Sequence, residues 1–313
     1  EQRGRFAIQE RTVRPHVELI QDSDLILRPA ELPGGEGRAF QRNLSVDEED
    51  GSASTHVFFD TAWHRPEGYA HADIEWYVVK GAVKIGDRLL GKGGYIRAPG
   101  GLKVPKISVA QGTEVLLFRE YGDWGFTRSK KNRDKLVLRG GNTGSAEAGE
   151  LTIVESHRME WMPNVYEGDT QRFLKLKLLY HDPAPADDSK KGFVTMLAWA
   201  PPGWSDNRLV HHPVFEEAYT LDGHLVYNFG TLDAGTYFFR PAMVKHGHFV
   251  AGEERGWMGF FRLDGSLINW ITVNERVIVE GDAVNYDPVT QAPLMAGIPV
   301  RSRSSGDWDL DGQ

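Results

Sequence analysis

The residues best suited to chemistry are four histidines and one glutamate in the second half of the chain. They are His211, His212, Glu216, His246 and His248. Neutral imidazole nitrogens and carboxylate oxygens are common ligands of divalent metal ions. The 313-residue chain contains no cysteine, which excludes thiolate metal sites, cysteine nucleophiles and disulfide frameworks. The sequence therefore predicts a metal site with nitrogen and oxygen ligands.

Two segments around these residues resemble the signature motifs of the cupin superfamily. The first motif reads His-x-His-x(3,4)-Glu-x6-Gly, and the second reads Gly-x5-Pro-x-Gly-x2-His. The matching positions here are His212, Glu216, Gly223, Gly235, Pro241 and His246. Two positions depart from the pattern: Val210 replaces the first histidine of the first motif, and Met243 replaces the inner glycine of the second. The resemblance implies a metal held by the two matched histidines and the glutamate.

The spacing of these three residues also suits metal binding. His212 and Glu216 are four positions apart, so on one pleated strand both face the same side, while Glu217 faces outward to solvent. His246 must come from another strand, and a barrel brings it there. Two imidazoles and one carboxylate form a facial triad that leaves positions open for substrate and dioxygen. This pattern favours Fe(II), with Mn, Co, Ni and Zn as alternatives.

Four neighbouring residues are candidates for supporting roles. His211 faces away from the ligands on a regular strand, although a bulge could recruit it as a further metal ligand. His248 shares the face of the third ligand two residues before it, so it is a candidate for contact with the ligands or the substrate. Tyr219 and Tyr237 could line the second barrel and donate a proton there. We therefore predict Tyr219, Tyr237 and His248 as catalytic residues.

Short strands must position these residues. Glycine contributes 35 residues and proline 16, and turn signals separate runs of apolar or alternating residues. The predicted strands are Glu75–Val83, Glu114–Arg119, Arg172–Leu179, Phe193–Trp199, Ala218–Tyr227, Thr236–Phe239, Gly256–Arg262 and Arg276–Val279, and a short helix is predicted within Asp264–Thr272. The chain is therefore predicted to be all-β. The cupin resemblance implies two tandem double-stranded β-helix barrels of the jelly-roll type.

One β unit occurs twice in the chain. The segments that align at an offset of 142 residues are Glu75–Gly81 with Glu217–Gly223, and Gly94–Pro99 with Thr236–Pro241. At an offset of 143 residues, Arg119 aligns with Arg262. We expect both arginines to have a structural role at the barrel rim.

The first copy of the repeat lacks a complete set of ligands. His71 and Glu75 repeat the four-residue spacing, but Val104 occupies the position of the third ligand and cannot bind metal. The closing glycine also comes one residue early, so Glu75 could instead match the outward-facing glutamate of the second copy. We therefore predict a degenerate first cupin. The alternative is a rearranged site that uses His71, Glu75 and one of His56 or His64.

The resemblance covers nearly the whole chain and implies a bicupin. The polar stretch at residues 129–145 predicts a linker. We predict an N-terminal cupin at residues 1–140, with a degenerate metal site, and a C-terminal, metal-binding cupin at residues 150–313. The strand-rich, tryptophan-rich composition and the tendency of this fold to pair barrels predict a homodimer.

Composition narrows the class of partner. Lys and Arg number 36 against 44 Asp and Glu, a net charge of −8 without a dominant basic block, which argues against nucleic acid and anionic membranes. No run approaches the roughly 18 apolar residues of a membrane span. The chain begins at Glu1 without an initiator methionine or an apolar signal region. We expect a trimmed or processed chain in the cytoplasm.

These features predict a mononuclear metal-dependent enzyme. The leading hypothesis is an Fe(II) dioxygenase that cleaves or oxidises a small oxygenated organic substrate, in a dry apolar barrel that shields the intermediate. The alternative enzyme is a Zn- or Mn-dependent cupin lyase, isomerase or decarboxylase with the same ligands. The alternative from another class is a metal- or ligand-sensing binding protein without turnover.

Overall fold

A computed structural model describes residues 14–47, 51–120, 124–128, 150–163, 174–181, 193–265, 267 and 269–272. The regular structure in these ranges is β-strand, apart from single 3-10 turns at Asp22–Asp24 and Ser156–Arg158. The predicted linker and the predicted strand Arg276–Val279 lie outside the described residues. None of the helical turns in the described ranges has the length and hydropathy that a membrane crossing requires.

The strands follow one another with short connections. The first fifteen are β1 (Val17–Gln21), β2 (Arg28–Pro29), β3 (Ala39–Val46), β4 (Ala53–Phe59), β5 (Trp63–Arg65), β6 (Gly68–Ala70), β7 (Asp73–Lys80), β8 (Val83–Ile85), β9 (Arg88–Leu90), β10 (Gly94–Ala98), β11 (Lys103–Val104), β12 (Ile107–Val109), β13 (Glu114–Glu120), β14 (Phe126–Thr127) and β15 (Thr152–Glu155). The others are β16 (Met162–Pro163), β17 (Lys175–His181), β18 (Val194–Ala200), β19 (Ser205–His211), β20 (Glu216–Tyr227), β21 (Gly230–Asp233), β22 (Thr236–Arg240), β23 (His246–Ala251), β24 (Trp257–Leu263) and β25 (Trp270–Thr272).

The strands form two antiparallel units. In the first unit the main sheet runs β15-β10-β7-β13-β4-β3-β2, with smaller sheets β5-β12-β8-β9 and β11-β6-β14. In the second unit the path β16-β17-β18-β24-β20-β23-β19-β25 is joined by β21, β22 and β1. The predicted all-β fold of two tandem jelly-roll barrels is confirmed.

Each unit also contains one strand that lies outside its own copy of the repeat in the sequence. β1 pairs with β22 of the second unit, with Ile20 opposite Tyr237. β15 pairs with β10 of the first unit, with Val154 opposite Tyr95. The strand nearest the described N-terminus therefore carries its side chains, including Glu18, to the second barrel.

Side-chain alternation along the central strands produces three apolar cores. On β7, Trp76 faces the core of the first barrel, while Tyr77 faces a cluster between the barrels. On β20, Ala218 faces the core of the second barrel and Tyr219 faces the same central cluster. Stacked aromatic rings in this cluster join the two units, and each such pair contributes about 0.5–1.5 kcal/mol beyond its burial.

Two element predictions differ from the structure. The run Glu75–Val83 is divided by a turn at Gly81, whose φ of 81° lies in the region that favours glycine. The helix predicted within Asp264–Thr272 is wrong for its last part, because Trp270–Thr272 pairs with β19 as a strand. The other predicted strands within the described residues are confirmed, with small differences in their bounds.

The predicted match between Arg119 and Arg262 is wrong by one residue. Glu75 lies opposite Phe118, and Glu217 lies opposite Arg262. Arg262 therefore corresponds to Phe118, at an offset of 144 residues on this strand. A shift of one residue reverses the face of every side chain, so the two arginines face opposite sides of their strands.

Candidate metal centre

His212, Glu216 and His246 converge at one end of the second barrel. Each offers a ligand atom, and these atoms all lie within 4.8 Å of one another. Glu216 Oε2 is 3.3 Å from His246 Nε2, and Glu216 Oε1 is 3.8 Å from His212 Nε2. All three side chains are buried. Among the residues that the structure describes, this is the only group of histidines and acidic residues with such a spacing.

The three residues come from three different strand ends. β19 ends at His211, so His212 lies in the turn that follows, and Glu216 begins β20. His246 begins β23, opposite Val210 of β19. The prediction that His212 and Glu216 share one pleated strand is therefore wrong, because the proline after His212 has no N–H to continue a ladder. Both side chains nevertheless border the barrel cavity, as expected.

A strained turn fixes the backbone beside His212. The Met243 N–H donates to the His212 carbonyl, with an N···O distance of 2.8 Å. Met243 has a φ of 74° at the position where the cupin motif has glycine. A non-glycine residue in the left-handed region costs about 1–2 kcal/mol and persists only where its surroundings fix it. The turn is therefore firmly held around the first ligand.

His246 is prepared to act as a metal ligand. Its Nδ1 lies 3.0 Å from the Val244 carbonyl oxygen, which can only accept, so Nδ1 carries the proton and Nε2 faces the group. Burial, followed by the nearby Arg240 and His212, holds the pKa of His246 well below its usual value. The neutral imidazole is the form that ligates metals. His246 therefore presents a free Nε2 lone pair at neutral pH.

A buried guanidinium borders the group and orients its carboxylate. Arg240 Nη1 donates to Glu216 Oε2 at 2.9 Å, while Nε and Nη2 donate to the two carboxylate oxygens of Glu18 at 2.6 and 3.2 Å. Burial opposes the charge of Glu18, but Arg240 and His16 together outweigh it and lower the pKa of Glu18 below its usual range. Arg240 also lies over the ring of Phe238, 3.6 Å from its centroid.

This donor set fits a divalent metal ion. Two imidazole nitrogens and one carboxylate are suitable ligands for Fe(II), Mn and Zn. Glu18 and Glu216 carry two negative charges against the single positive charge of Arg240, so these three buried side chains have one excess negative charge. A cation at the convergence of His212, Glu216 and His246 would balance it.

The group opens on a cavity of about 100 Å³ inside the second barrel. Its wall consists of Leu174, Leu176, Met196, Ala198, Trp204, Val210, His212, Glu216, Leu225, Leu232, Phe238, Arg240, His246, Phe249, Trp257, Phe261, Leu267 and Asn269. Among the described wall residues, the polar or charged groups other than the three candidate ligands are Arg240, Asn269 and the indole N–H groups of the two tryptophans. An apolar wall of this kind strengthens the electrostatic interactions of a site once water is excluded from it.

The two tyrosines predicted to act in catalysis lie outside this cavity. The Tyr237 hydroxyl donates to Glu217 Oε2 at 2.6 Å, and the Tyr219 hydroxyl donates to Asp22 Oδ2 at 3.1 Å. Both belong to the cluster between the barrels, because alternation places them on the outer face of the second barrel. A catalytic role for either tyrosine stays a prediction, and the structure does not bring them to the metal group.

The two remaining histidines also lie outside the group. His211 packs edge-on against Trp270, with 5.3 Å between ring centroids. His248 is partly buried, has a φ of 55°, and burial lowers its pKa. Neither histidine borders the cavity. Their predicted roles as a further ligand and as a catalytic residue stay predictions.

Glu217 is buried, so the expectation that its side chain faces solvent is wrong. It faces away from the ligands, as alternation predicts, but only 1% of it is exposed. Its Oε2 accepts from Ser54 at 2.5 Å and from Tyr237, and its Oε1 accepts from Arg262. The outer face of the second barrel is covered by the first barrel, and this contact buries the carboxylate.

Glu217 belongs to a buried ionic cluster between the barrels. Its charged members are Arg14, Glu75, Glu120, Glu217 and Arg262. The tyrosine–glutamate contact recurs in the first copy, where the Tyr95 hydroxyl donates to Glu75 at 2.7 Å. Glu75 therefore matches Glu217, and the repeated outward glutamates meet at the centre of the molecule.

In the first barrel, apolar residues replace the metal group. At the 142-residue offset, the positions of His212, Glu216, Arg240 and His246 are occupied by Ala70, Ile74, Ala98 and Val104. Strand pairing supports this alignment, because Ala98 lies opposite Ile74 just as Arg240 lies opposite Glu216. All four replacements are buried in the apolar core. His71 contacts Gly125, His56 bonds to Asp22, and His64 pairs with exposed Glu36, so these histidines do not form a group.

Arg240 and Glu18 are not among the site residues predicted from the sequence. Arg240 lies within the second cupin-like motif, directly before its proline, and that position was a usable signal. No sequence signal indicated Glu18, because its partner Arg240 lies 222 positions away and only the pairing of their strands brings the two together.

Comparison with known proteins supports the same fold. The profile of a family described as "Domain of unknown function (DUF4437)" matches residues 18–270. No curated protein matches the sequence.

Solved structures with this architecture cover most of the chain. A "putative dioxygenase" from Nostoc punctiforme is 16% identical with a TM-score of 0.67, over 82% of this chain and 87% of that one. Protein YlbA from E. coli, of family DUF861, is 17% identical with a TM-score of 0.54, over 82% and 94%. An oxalate decarboxylase variant from B. subtilis is 16% identical with a TM-score of 0.52, over 82% and 79%. These similarities show a cupin-type fold.

Proposed function

The chain belongs to the DUF4437 family, a domain of unknown function, and we propose that it is a metal-dependent enzyme with one active site, in the second barrel. The observation that carries this proposal is the buried group of His212, Glu216 and His246 at the wall of an apolar cavity. Two buried imidazoles and a buried carboxylate that shares its arginine partner with Glu18 are costly to maintain without a further functional partner.

Each residue of the group has a defined task in this proposal. His212, Glu216 and His246 would hold the ion, which would supply Lewis-acid or redox chemistry to a substrate bound through oxygen atoms. Arg240 orients the carboxylate of Glu216, and the Val244 carbonyl fixes the ring of His246. The apolar wall excludes water from the reacting groups.

Within this class we propose an Fe(II) dioxygenase. Two histidines and one carboxylate are the ligand set typical of non-haem Fe(II) oxygenases. The fold similarity to the Nostoc "putative dioxygenase" is in keeping with this proposal. A lyase or decarboxylase is the second candidate, because the B. subtilis oxalate decarboxylase shares the fold and its Mn(II) centres are named in a related structure.

Metal analysis of protein purified without added metal tests the proposal. We expect about one iron per chain, and we expect the Fe(II) protein to bind nitric oxide, a probe of an open coordination position, with the paramagnetic resonance signal of a mononuclear iron–nitrosyl. Manganese or zinc in place of iron, without oxygen uptake during turnover, would favour the lyase. A failure to retain any divalent ion would overturn the metal-enzyme proposal, and two tightly bound ions per chain would contradict a single site.

A further inference from the structure

We propose that the substrate has an apolar, ring-sized body and, at the end away from the metal ligands, an oxygen that accepts a hydrogen bond from Trp204. This inference rests on the proposed function, because it takes the cavity beside the metal group as the substrate site. It names the class of substrate, which the ligand set alone leaves open.

The cavity wall is mainly apolar. Its side chains include two tryptophans, three phenylalanines, one methionine and seven aliphatic residues. Apart from the ligands and their arginine partner, Asn269 is the one residue with a polar functional group in the described wall, besides the tryptophan N–H groups. Polar groups in such a wall determine ligand orientation, while apolar area determines how much of the ligand body is buried. A substrate that fills this space must itself be mainly apolar.

The charge of Arg240 is already balanced. Its guanidinium donates to both oxygens of Glu18 and to one oxygen of Glu216. The described wall therefore offers no spare cation to a second carboxylate on the substrate. Oxalate would bind the metal without filling the apolar cavity, and a longer dianion would leave its second carboxylate against apolar side chains, which is unfavourable.

Trp204 supplies the distal polar contact. It borders the cavity, is 7% exposed, and its indole N–H has no hydrogen-bond acceptor among the described residues. Buried donors are nearly always paired, and an unpaired one destabilises the fold, whereas a phenylalanine would fill similar space without that cost. An oxygen on a ligand bound in this cavity would give the Trp204 N–H an acceptor.

The aromatic contacts place this donor at a distance from the ligands. His246 and Phe249 have ring centroids 5.9 Å apart, and Phe249 stacks on Trp204 with centroids 6.2 Å apart. The Phe249 ring thus contacts both the Trp204 indole and the His246 imidazole. A substrate with a metal-binding head at His246 would need a body of about the size of one ring to reach Trp204.

Trp257 provides an internal comparison. It borders the same cavity, but its Nε1 donates to Thr220 Oγ1 at 3.2 Å. Replacing Trp257 by phenylalanine removes wall area without removing a donor that a ligand could use. Trp257→Phe is therefore the matched control for Trp204→Phe.

The test measures the binding of paired probes to the zinc-loaded full chain by calorimetry. The probes are 3- and 4-methoxybenzohydroxamic acid, each compared with the ethyl analogue of the same shape, which lacks the ether oxygen. We expect one methoxy isomer to bind about tenfold more tightly than its ethyl analogue, which corresponds to one buried hydrogen bond. This preference should disappear in Trp204→Phe and persist in Trp257→Phe. Oxalate should bind more weakly than either aryl probe.

Zinc content, measured on the same samples, distinguishes a failure of the proposed metal site from a failure of the proposed substrate class. Protein that retains zinc but binds oxalate more tightly than the aryl hydroxamates, or binds no aryl hydroxamate, overturns the inference and leaves the metal site standing. An equal methoxy preference in wild type and Trp204→Phe also overturns it. Protein that retains no zinc overturns the proposed function and this inference with it.

Discussion

The three candidate ligands each contribute one donor atom, so the loss of any one leaves too few to hold a labile ion against water. We expect His246→Ala to abolish retention of a divalent ion, measured as metal per chain after dialysis. His211→Ala is the matched control, because His211 lies on the adjoining strand and packs against Trp270. Metal retained by His246→Ala would contradict the site. Loss of metal in His211→Ala would instead make His211 a further ligand.

Glu217, next to a candidate ligand in sequence, has a different task. Its carboxylate lies in the buried ionic cluster, so Glu217→Ala would leave Arg262, which is 1% exposed, with one fewer acceptor. We expect a loss of about 3–5 kcal/mol in the free energy of unfolding, measured with denaturant, while metal content is unchanged. Glu254→Ala in an exposed turn should change stability by less than about 0.5 kcal/mol. Loss of metal without loss of stability in Glu217→Ala would show that the side-chain register is off by one.

At the scale of elements, β20 and β22 divide their side chains between two tasks. Glu216 and Arg240 lie opposite each other and face the cavity, while Glu217 and Phe239 lie opposite each other and face the first barrel. Because the period of a strand is two, consecutive residues serve the metal group and the contact between barrels. One pair of strands therefore couples the geometry of the site to the packing of the whole molecule.

The strand β1 completes the site from outside the motif region. Glu18→Ala would free Arg240 to pair with Glu216 alone, so the guanidinium would compete with the metal ion for this carboxylate. We expect metal affinity to fall about 10- to 100-fold, measured by competition with a chelator of known affinity. Gln21→Ala at the end of the same strand is the control and should leave the affinity unchanged. Equal metal affinity in wild type and Glu18→Ala would show that Glu18 on β1 does not contribute to metal binding.

At the scale of the molecule, the buried ionic cluster makes stability depend on pH. Burial raises the pKa of Glu120, but Arg14 and Arg262 together outweigh it, so the pKa lies below the ordinary 4.5. Burial also opposes the charge of Glu75, but Arg262 and Arg97, with hydrogen bonds from Thr195 and Tyr95, together lower its pKa. A carboxylate whose pKa is lower in the folded protein than in the unfolded chain stabilises the fold at any pH above its unfolded-state pKa. This stabilisation is lost as the pH falls to the pKa of the folded state. We therefore expect the free energy of unfolding to decrease below about pH 4.5.

Denaturant unfolding between about pH 3 and 7 measures this effect. Glu120→Gln should be less stable than wild type at neutral pH, because it lacks the charge that faces Arg14 and Arg262. It should also lose less stability than wild type in acid, because one titrating group is absent. Parallel curves for the two proteins would contradict a contribution from Glu120.

Assembly belongs to the same scale. The homodimer expected from the sequence stays a prediction. Exposed apolar side chains lie at sheet edges, with Ile26 and Leu27 just before edge strand β2 and Met162 on edge strand β16. We expect light scattering to give twice the 35.1 kDa of one chain. A mass of one chain that does not change with concentration would contradict this expectation.

The sequence by itself determined the features that depend on local pattern. Alternating apolar residues and turn signals specified an all-β chain, and the 142-residue repeat specified two similar units. Motif spacing selected His212, Glu216 and His246, and Val104 marked the first unit as deficient in ligands. These inferences were accessible because strand periodicity and motif spacing are properties of neighbouring residues.

Only the tertiary structure decided what covers each face. Alternation correctly turned Glu217 away from the ligands, but it could not show that the first barrel buries it against Arg262. Nor could it show that Glu18 meets Arg240 across 222 positions, or that the N–H of Trp204, a cavity-wall residue, has no acceptor among the described residues. The physical reason is that periodicity fixes the direction of a side chain, whereas its partner is fixed by the packing of strands that are distant in sequence.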